Sequence, residues 1–316
     1  MKVAHISDIH ISTFDGAMFR DFLNKRILGG LNLLLHRREY RGGKAEILLS
    51  ALTQDINAQR PDLVLFTGDV TSLSLPQEFA RARTFVESLG DPSRVVLLPG
   101  NHDCYTYEAQ KSHRFETVFG DYLGTQTNGP EQAFPYVRRF GERLAIVALS
   151  SAVATPPPLA TGRLGGPQRE RLKELLGGLS QEGRFVVLAV HHPPDKRAQK
   201  AGGRMRHMED SLELLKLAAE AKVPMIAHGH EHRGWQHTIQ HAESGWSCQV
   251  FDAGSGTALS SNPERCARYN VYTFDTKAAG LLEARARVYD PAEGHFVDRG
   301  APPLNPNQAA SQASPW

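Results

Sequence analysis

An α/β fold is what this sequence predicts, and three observations carry the expectation. Short apolar runs bounded by Gly, Pro or polar residues recur along the chain, as buried parallel strands do. Between them lie stretches whose apolar residues fall three and four apart, the spacing of helices with one buried face. The runs also end, repeatedly, in His, Asp or Asn, and open α/β sheets bind ligands beyond the carboxyl ends of their strands.

The elements follow in order. Residues 3–6 form the first strand, ending at Ser7-Asp8-Ile9-His10. Residues 12–44 look inserted. From Arg20 to Lys44 this stretch holds seven basic residues against two acidic ones, a local net charge of +5 where the whole chain carries +2. Its Phe and Leu residues recur at helical intervals, with Gly29-Gly30 as a break. Residues 45–58 are an amphipathic helix through Ile47, Leu48, Ala51, Leu52 and Ile56. Strand 62–66 ends at Thr67-Gly68-Asp69, and helix 79–89 returns the chain to strand 95–98, which ends at Pro99-Gly100-Asn101-His102-Asp103. Strand 144–149 and helix 168–179 lead to strand 185–190 and His191-His192. Helix 212–221 and strand 223–227 follow, ending at His228-Gly229-His230-Glu231-His232. Runs 249–251, 270–274 and 283–289 read as strands closing a second sheet. Residues 298–316, rich in Pro, Asn, Gln, Ala and Ser, read as a disordered tail after a single domain spanning 1–297.

Composition narrows the class. With 316 residues, 41% hydrophobic and 22% charged, the chain can bury a large core. A net charge of +2 points to neither nucleic acid nor membrane for the bulk of the molecule. Cys104, Cys248 and Cys266 lack metal-type spacing and read as free thiols of a reducing compartment. The chain starts without a basic-then-apolar leader, and no apolar run approaches the roughly 20 residues that span a bilayer, so a cytoplasmic protein is expected.

Five segments end strands with metal-competent side chains: Asp8-x-His10, Gly68-Asp69, Gly100-Asn101-His102, His191 and Gly229-His230-x-His232. Singly each reads as a turn or a cap; in sequence order, on one edge of one sheet, they read as a site. Carboxylates, an amide oxygen and imidazoles without thiolate suit Mn, Fe, Zn or Co better than Mg or Ca. The donors are too many for one ion. Two ions ~3.5–4 Å apart would use them all, acidify a bridging water and clamp an in-line displacement at phosphorus.

These five motifs, in their order and spacing from Lys2 to about Arg233, resemble those of the calcineurin-like metallophosphoesterases. The resemblance implies a four-layer αββα sandwich, two mixed β-sheets packed face to face with flanking helices. It implies one metal held by Asp8, His10, Asp69 and His232 and another by Asp69, Asn101, His191 and His230, with Asp69 bridging. His102 resembles the histidine that faces the leaving-group oxygen, and Asp103 would hold its other ring nitrogen.

Other polar residues are weighed and mostly set aside. His5 reads as a satisfied core histidine, and His192 and His228 as packed neighbours of motif positions. His113, His207, His237 and His241 read as surface. Cys104 reads as a bystander thiol, and Arg163 is a candidate phosphate contact from its loop. The insert at 12–44 reads either as a structural cap or as a lid over an anionic, acylated substrate, with peripheral contact to an anionic inner membrane face as a further role.

The resemblance favours a phosphodiesterase for a small phosphodiester or nucleotide-type substrate, of the cyclic-nucleotide or glycerophosphodiester kind. Two alternatives stand beside it: a UDP-2,3-diacylglucosamine pyrophosphatase-like hydrolase at the membrane surface, and a non-catalytic metal-binding scaffold. The scaffold would be expected to have lost Asp69, Asn101 or His102, and all three are present. Without a basic stripe outside the insert, a nuclease is disfavoured. Sequence gives no oligomeric state.

Overall fold

β1 (Lys2–Ile6), β2 (Leu63–Phe66) and β3 (Val95–Leu97) lie side by side and parallel, joined through α1 (Gly43–Gln59) and α2 (Pro76–Leu89). They belong to a computed structural model that describes residues 1–18, 21, 24–27, 29–30, 43–124, 129–195, 205–260 and 265–305. Every residue of β2 and β3 is buried, which is why these strands read as unbroken apolar runs. α1 lays Leu48, Leu52 and Ile56 into the core, and α2 adds Phe79, Ala82, Phe85, Val86 and Leu89. Pro76 opens α2, where its missing N–H costs nothing. Glu78 reaches back to accept from the N–H groups of Leu73 and Leu75.

Two short helices, α3 (Tyr107–Lys111) and α4 (Arg114–Phe119), precede the second sheet. Here β4 (Tyr136–Phe140) pairs antiparallel with β5 (Leu144–Ala148), which runs parallel to β6 (Phe185–Ala189). α5 (Gly166–Gln181) links β5 to β6, and α6 (Ser211–Glu220) precedes β7 (Met225–His228). Alternation along β5 shows how the layers arise. Leu144, Ile146 and Ala148 enter the core shared with the first sheet, while Ala145 and Val147 pack with Leu172, Leu176 and Leu179 of α5 and Leu214 and Ala218 of α6.

The last strands do not all close the second sheet, as the sequence suggests. β8 (Gln236–His241) and β9 (Trp246–Asp252) complete it, but β10 (Arg268–Asp275), β11 (Gly280–Asp290) and β12 (His295–Asp298) return to the first sheet, where β10 pairs antiparallel with β1. Among the described residues the strand orders are β12-β11-β10-β1-β2-β3 and β4-β5-β6-β7-β9-β8. Ring contacts of Phe251 with Tyr272 and of Phe185 with Phe274 bridge the sheets, so this is the expected αββα sandwich.

β4, β8 and β12 carry mixed polar sequences and gave no strand signal. Residues 299–305, read from composition as part of a disordered tail, are held by pairing. The N–H of Arg299 donates to the Ala286 carbonyl, and the Pro303 carbonyl and Asn305 N–H pair with Gln236. Residues 306–316 lie outside the described residues, as do most of 19–42 and with them the body of the insert. No helix among the described residues is long and apolar enough to cross a membrane.

Candidate metal centre

The five motifs come from the ends of strands in both sheets, not from one edge of one sheet. Asp8, Asp69 and Asn101 follow β1, β2 and β3, whereas His191 and His230 follow β6 and β7. Two contacts sew the rims together: His230 N–H donates to Asp8 Oδ2 at 2.9 Å, and His191 Nδ1 lies 2.7 Å from the Thr67 carbonyl.

The rim demands unusual backbone. Asp8, His10, Asp69, His230 and His232 all have positive φ, between 48° and 72°. A left-handed residue other than glycine costs roughly 1–2 kcal/mol, and such strain gathers at functional sites. Two glycines permit the close approach. A Cβ on Gly100 would stand 2.1 Å from Asp69 Oδ1, and one on Gly229 would stand 2.0 Å from Ser7 Oγ.

Two groups of donor atoms result. In the first, His232 Nε2 lies 3.0 Å from Asp8 Oδ1 and 3.2 Å from His10 Nε2. In the second, His191 Nε2 lies 3.2 Å from Asn101 Oδ1, 3.3 Å from His230 Nδ1 and 3.4 Å from Asp69 Oδ2. Asp69 Oδ2 also lies 3.8 Å from His10 Nε2, so this one oxygen faces both groups.

These donors fit cations. His191 donates its Nδ1 proton to Thr67, which leaves a lone pair on Nε2 directed at an amide oxygen, a carboxylate and a second imidazole. Lone pairs converging in a dry pocket repel unless a positive charge sits among them. Electrostatics point the same way. Burial would raise the Asp69 carboxyl, but the facing His191, His102 and His10 rings hold it well below the usual carboxylate range. Burial would lower His191, yet Asp69 pushes it up to about 9. The pocket thus asks for positive charge where a metal would supply it.

His102 stands at the edge of the cluster, its ring 4.7 Å from that of His10 and nearly perpendicular to it. Its Nδ1 is 2.6 Å from the Ser72 carbonyl, so Nε2 is the nitrogen on the side of His10 and Asp69. Asp103 does not hold this ring. Its Oδ1 accepts from the N–H and hydroxyl of Thr71, and its Oδ2 from the N–H groups of Gly100 and Val70. Adjacency in sequence suggested the pairing, but four backbone and hydroxyl donors from two turns claim the carboxylate instead. Burial and the nearby Asp69 charge push it up to about 7.

The remaining polar residues fall out as follows. His5 is buried between Tyr272 Oη and Thr67 Oγ1, and burial pushes it down to about 3. His192 is buried against Ser151 and the Ala160 carbonyl, and His228 lies buried at the end of β7. His237 is not a surface residue: it is buried with Nε2 3.3 Å from Asp195 Oδ2, a partner distant in sequence. Cys104, Cys248 and Cys266 are free and buried. Arg163 is exposed and lines a cleft with Lys111, Glu131 and Glu209 that includes none of the clustered donors. Tyr105, which sequence reasoning passed over, stacks on His102 with ring centroids 5.3 Å apart. An aromatic two residues beyond the motif was its only signal.

A four-layer sandwich whose sheet ends gather carboxylates, an amide and imidazoles is a scaffold built for metal-assisted hydrolysis. The chain belongs to the calcineurin-like phosphoesterase family, whose model matches residues 1–234. It is 28% identical over 190 residues to a probable cyclic nucleotide phosphodiesterase of Synechococcus, covering 59% of this chain and 64% of that relative. It is 26% identical over 222 residues to a 3',5'-cyclic adenosine monophosphate phosphodiesterase of Haemophilus influenzae, covering 70% and 69%. The chain thus spans less than two thirds of the length of the Synechococcus protein. Its fold is similar to that of a dimetal phosphatase from Danio rerio, with a TM-score of 0.58, 16% identity and coverage of 95% and 96%.

Proposed function

We propose that this chain is a two-metal phosphodiesterase acting on a small phosphodiester of the cyclic-nucleotide or glycerophosphodiester kind. The observation that carries the reading is Asp69 Oδ2 facing His10 on one side and His191 on the other. One metal would be held by Asp8, His10, Asp69 and His232, the other by Asp69, Asn101, His191 and His230. The mixed oxygen and nitrogen donors favour Mn, Fe, Zn or Co. Bound there, the pair supplies Lewis acidity to the phosphoryl oxygens and acidifies water at neutral pH.

The chain's own groups do the rest. His191 donates its Nδ1–H to the Thr67 carbonyl, which fixes the ring so that Nε2 is the atom facing the donor cluster. His102, fixed through Nδ1 by Ser72, carries on Nε2 the proton that the departing alkoxide needs. Beside His10 opens a cleft of about 400 Å³ lined by Ser12, Thr13, Phe14, Glu46 and Arg81, a volume suited to a small ligand. The names of the relatives from Synechococcus and Haemophilus influenzae support the substrate class.

The test is hydrolysis of bis-p-nitrophenyl phosphate by protein stripped of metal and reloaded with Mn, Fe, Zn or Co. A panel of 3',5'-cyclic nucleotides, glycerophosphodiesters and nucleotide-diphosphate sugars then follows. Metal-dependent turnover of a cyclic nucleotide or glycerophosphodiester is expected. Metal binding without hydrolysis of any diester would leave only a scaffold, and preference for the nucleotide-diphosphate sugars would overturn the substrate class.

A further inference from the structure

Ser72 gives His102 its tautomer, so whatever fixes the 72–75 turn fixes the ring. Leu73 and Leu75 N–H are taken by Glu78 Oε2 at 2.8 and 3.2 Å. The turn's carbonyls are taken by Arg26. This guanidinium, only 4% exposed, donates from Nε to the Leu73 carbonyl at 2.7 Å and from Nη2 to the Ser74 carbonyl at 2.9 Å. Arg114 adds a second bond to the Ser74 carbonyl at 2.6 Å. Ser74, itself at φ 54°, donates its hydroxyl to the His102 carbonyl at 2.7 Å and accepts from the Tyr105 N–H at 2.7 Å. The turn therefore holds His102 by both ring and main chain, and Arg26 holds the turn.

Burying a guanidinium costs several kcal/mol unless close partners repay it. The nearest carboxylate, Glu108, is 3.5 Å away and 58% exposed, so the two carbonyls are the principal partners. A rigid fork spanning two successive carbonyls is a task that Arg performs and Lys does not. The preceding residue reaches the aromatic ring that stacks on His102. Lys25 Nζ sits 4.7 Å from the centroid of Tyr105, which stacks on His102, and is anchored on the Leu159 carbonyl at 2.9 Å.

We propose that Arg26 is a positioning residue for His102, with Lys25 bracing Tyr105, the ring that stacks on the imidazole. The inference rests on the reading of His102 as the group facing the leaving oxygen. It assigns to the start of the basic insert a task in the reaction itself: this stretch aims the proton donor.

The experiment uses the full-length, metal-loaded protein and a series of aryl methyl phosphodiesters running from p-nitrophenyl to phenyl. His102→Ala, Arg26→Lys, Arg26→Ala and the double variant with His102→Ala are compared for kcat, KM, metal content and Tm. Nitrophenolate leaves without a proton and phenolate does not, so loss of an aimed acid shows as a steeper dependence on the leaving group. Both Arg26 variants should lose about tenfold or more in kcat on the phenyl ester, less than threefold on the nitrophenyl ester, and little in KM. In the His102→Ala background the Arg26 substitution should add no further loss.

Equal losses on both esters, or the same loss with and without His102, would show that Arg26 is structural only. If Arg26→Ala does not fold, Arg26→Lys carries the same comparison. Should His102→Ala itself show no leaving-group dependence, the reading of His102 fails and this inference with it. A steep His102→Ala beside flat Arg26 variants would overturn the inference alone.

Discussion

Ser72 presents its main-chain carbonyl to His102 Nδ1 at 2.6 Å, close enough to fix which ring nitrogen carries the permanent proton. Nε2 is thereby turned towards the rim where His10 and Asp69 lie. A ring held this way can give or take a proton without surrendering its orientation, because the Nδ1 bond survives both states.

His102→Ala therefore separates proton donation from metal binding. Two metals per chain should remain, while turnover of a diester with an alkoxide leaving group falls about 100-fold or more. Metal analysis beside steady-state kinetics checks this. Loss of either metal would instead make His102 a ligand, a role its distance to His10 and Asp69 also permits.

Asp103→Ala should behave in the opposite way. This carboxylate joins the turn carrying Asp69 to the turn carrying Asn101, through Val70, Thr71 and Gly100. Its removal strands buried N–H groups at about 1–3 kcal/mol each and lets the two donor turns drift. Metal affinity should fall roughly 10–100-fold, the usual cost of losing a partner that orients ligands. Titration of the stripped variant with Mn, followed by Tm, reads the effect. Unchanged affinity with turnover alone reduced would return Asp103 to the dyad that the sequence suggested.

That exchange of roles shows what a sequence can and cannot carry. Asp8, His10, Asp69, Asn101, His191, His230 and His232 were legible because each ends an apolar strand, and strand ends in this architecture meet. The aim of Asp103 was not, since its partners belong to another turn that no spacing rule connects to it. The same holds for His237, whose burial depends on Asp195, a residue on a different element. Apolar runs identified strands but not their sheet, so β10 and β11 were assigned to the wrong layer. The polar strand β8 gave no pattern at all.

Chelation should destabilise the protein measurably. Asp8 and Asp69 are buried, and the cluster's residues hold left-handed backbone, so the folded state carries strain and desolvated charge that a cation offsets. A metal at one hundred times its Kd adds about 2.7 kcal/mol per site, or roughly 5 °C in Tm for a chain of this size. Thermal scans after chelation and with Mn, Zn or Mg give the comparison. Mg should raise Tm least, since imidazole nitrogens suit it poorly. Identical melting with and without Mn or Zn would count against the two-metal reading.

Glu78, which holds the 72–75 turn and ligates no metal in this reading, offers a pH test of stability. Burial raises its carboxyl to about 8 despite bonds from Leu73 and Leu75. Below about pH 4.5 the group is protonated whether the chain is folded or unfolded, so it adds no pH dependence. Between about 4.5 and 8 the unfolded chain releases a proton that the folded chain retains, so rising pH favours unfolding; above 8 the effect levels off. Glu78→Gln keeps an accepting oxygen for both N–H groups and stays neutral throughout. Its stability relative to the parent should therefore climb by roughly 1.4 kcal/mol per pH unit between pH 5 and 8. Urea unfolding of both proteins across that range measures the difference, and a gap that stays constant with pH would mean that Glu78 is ionised in the folded protein at neutral pH.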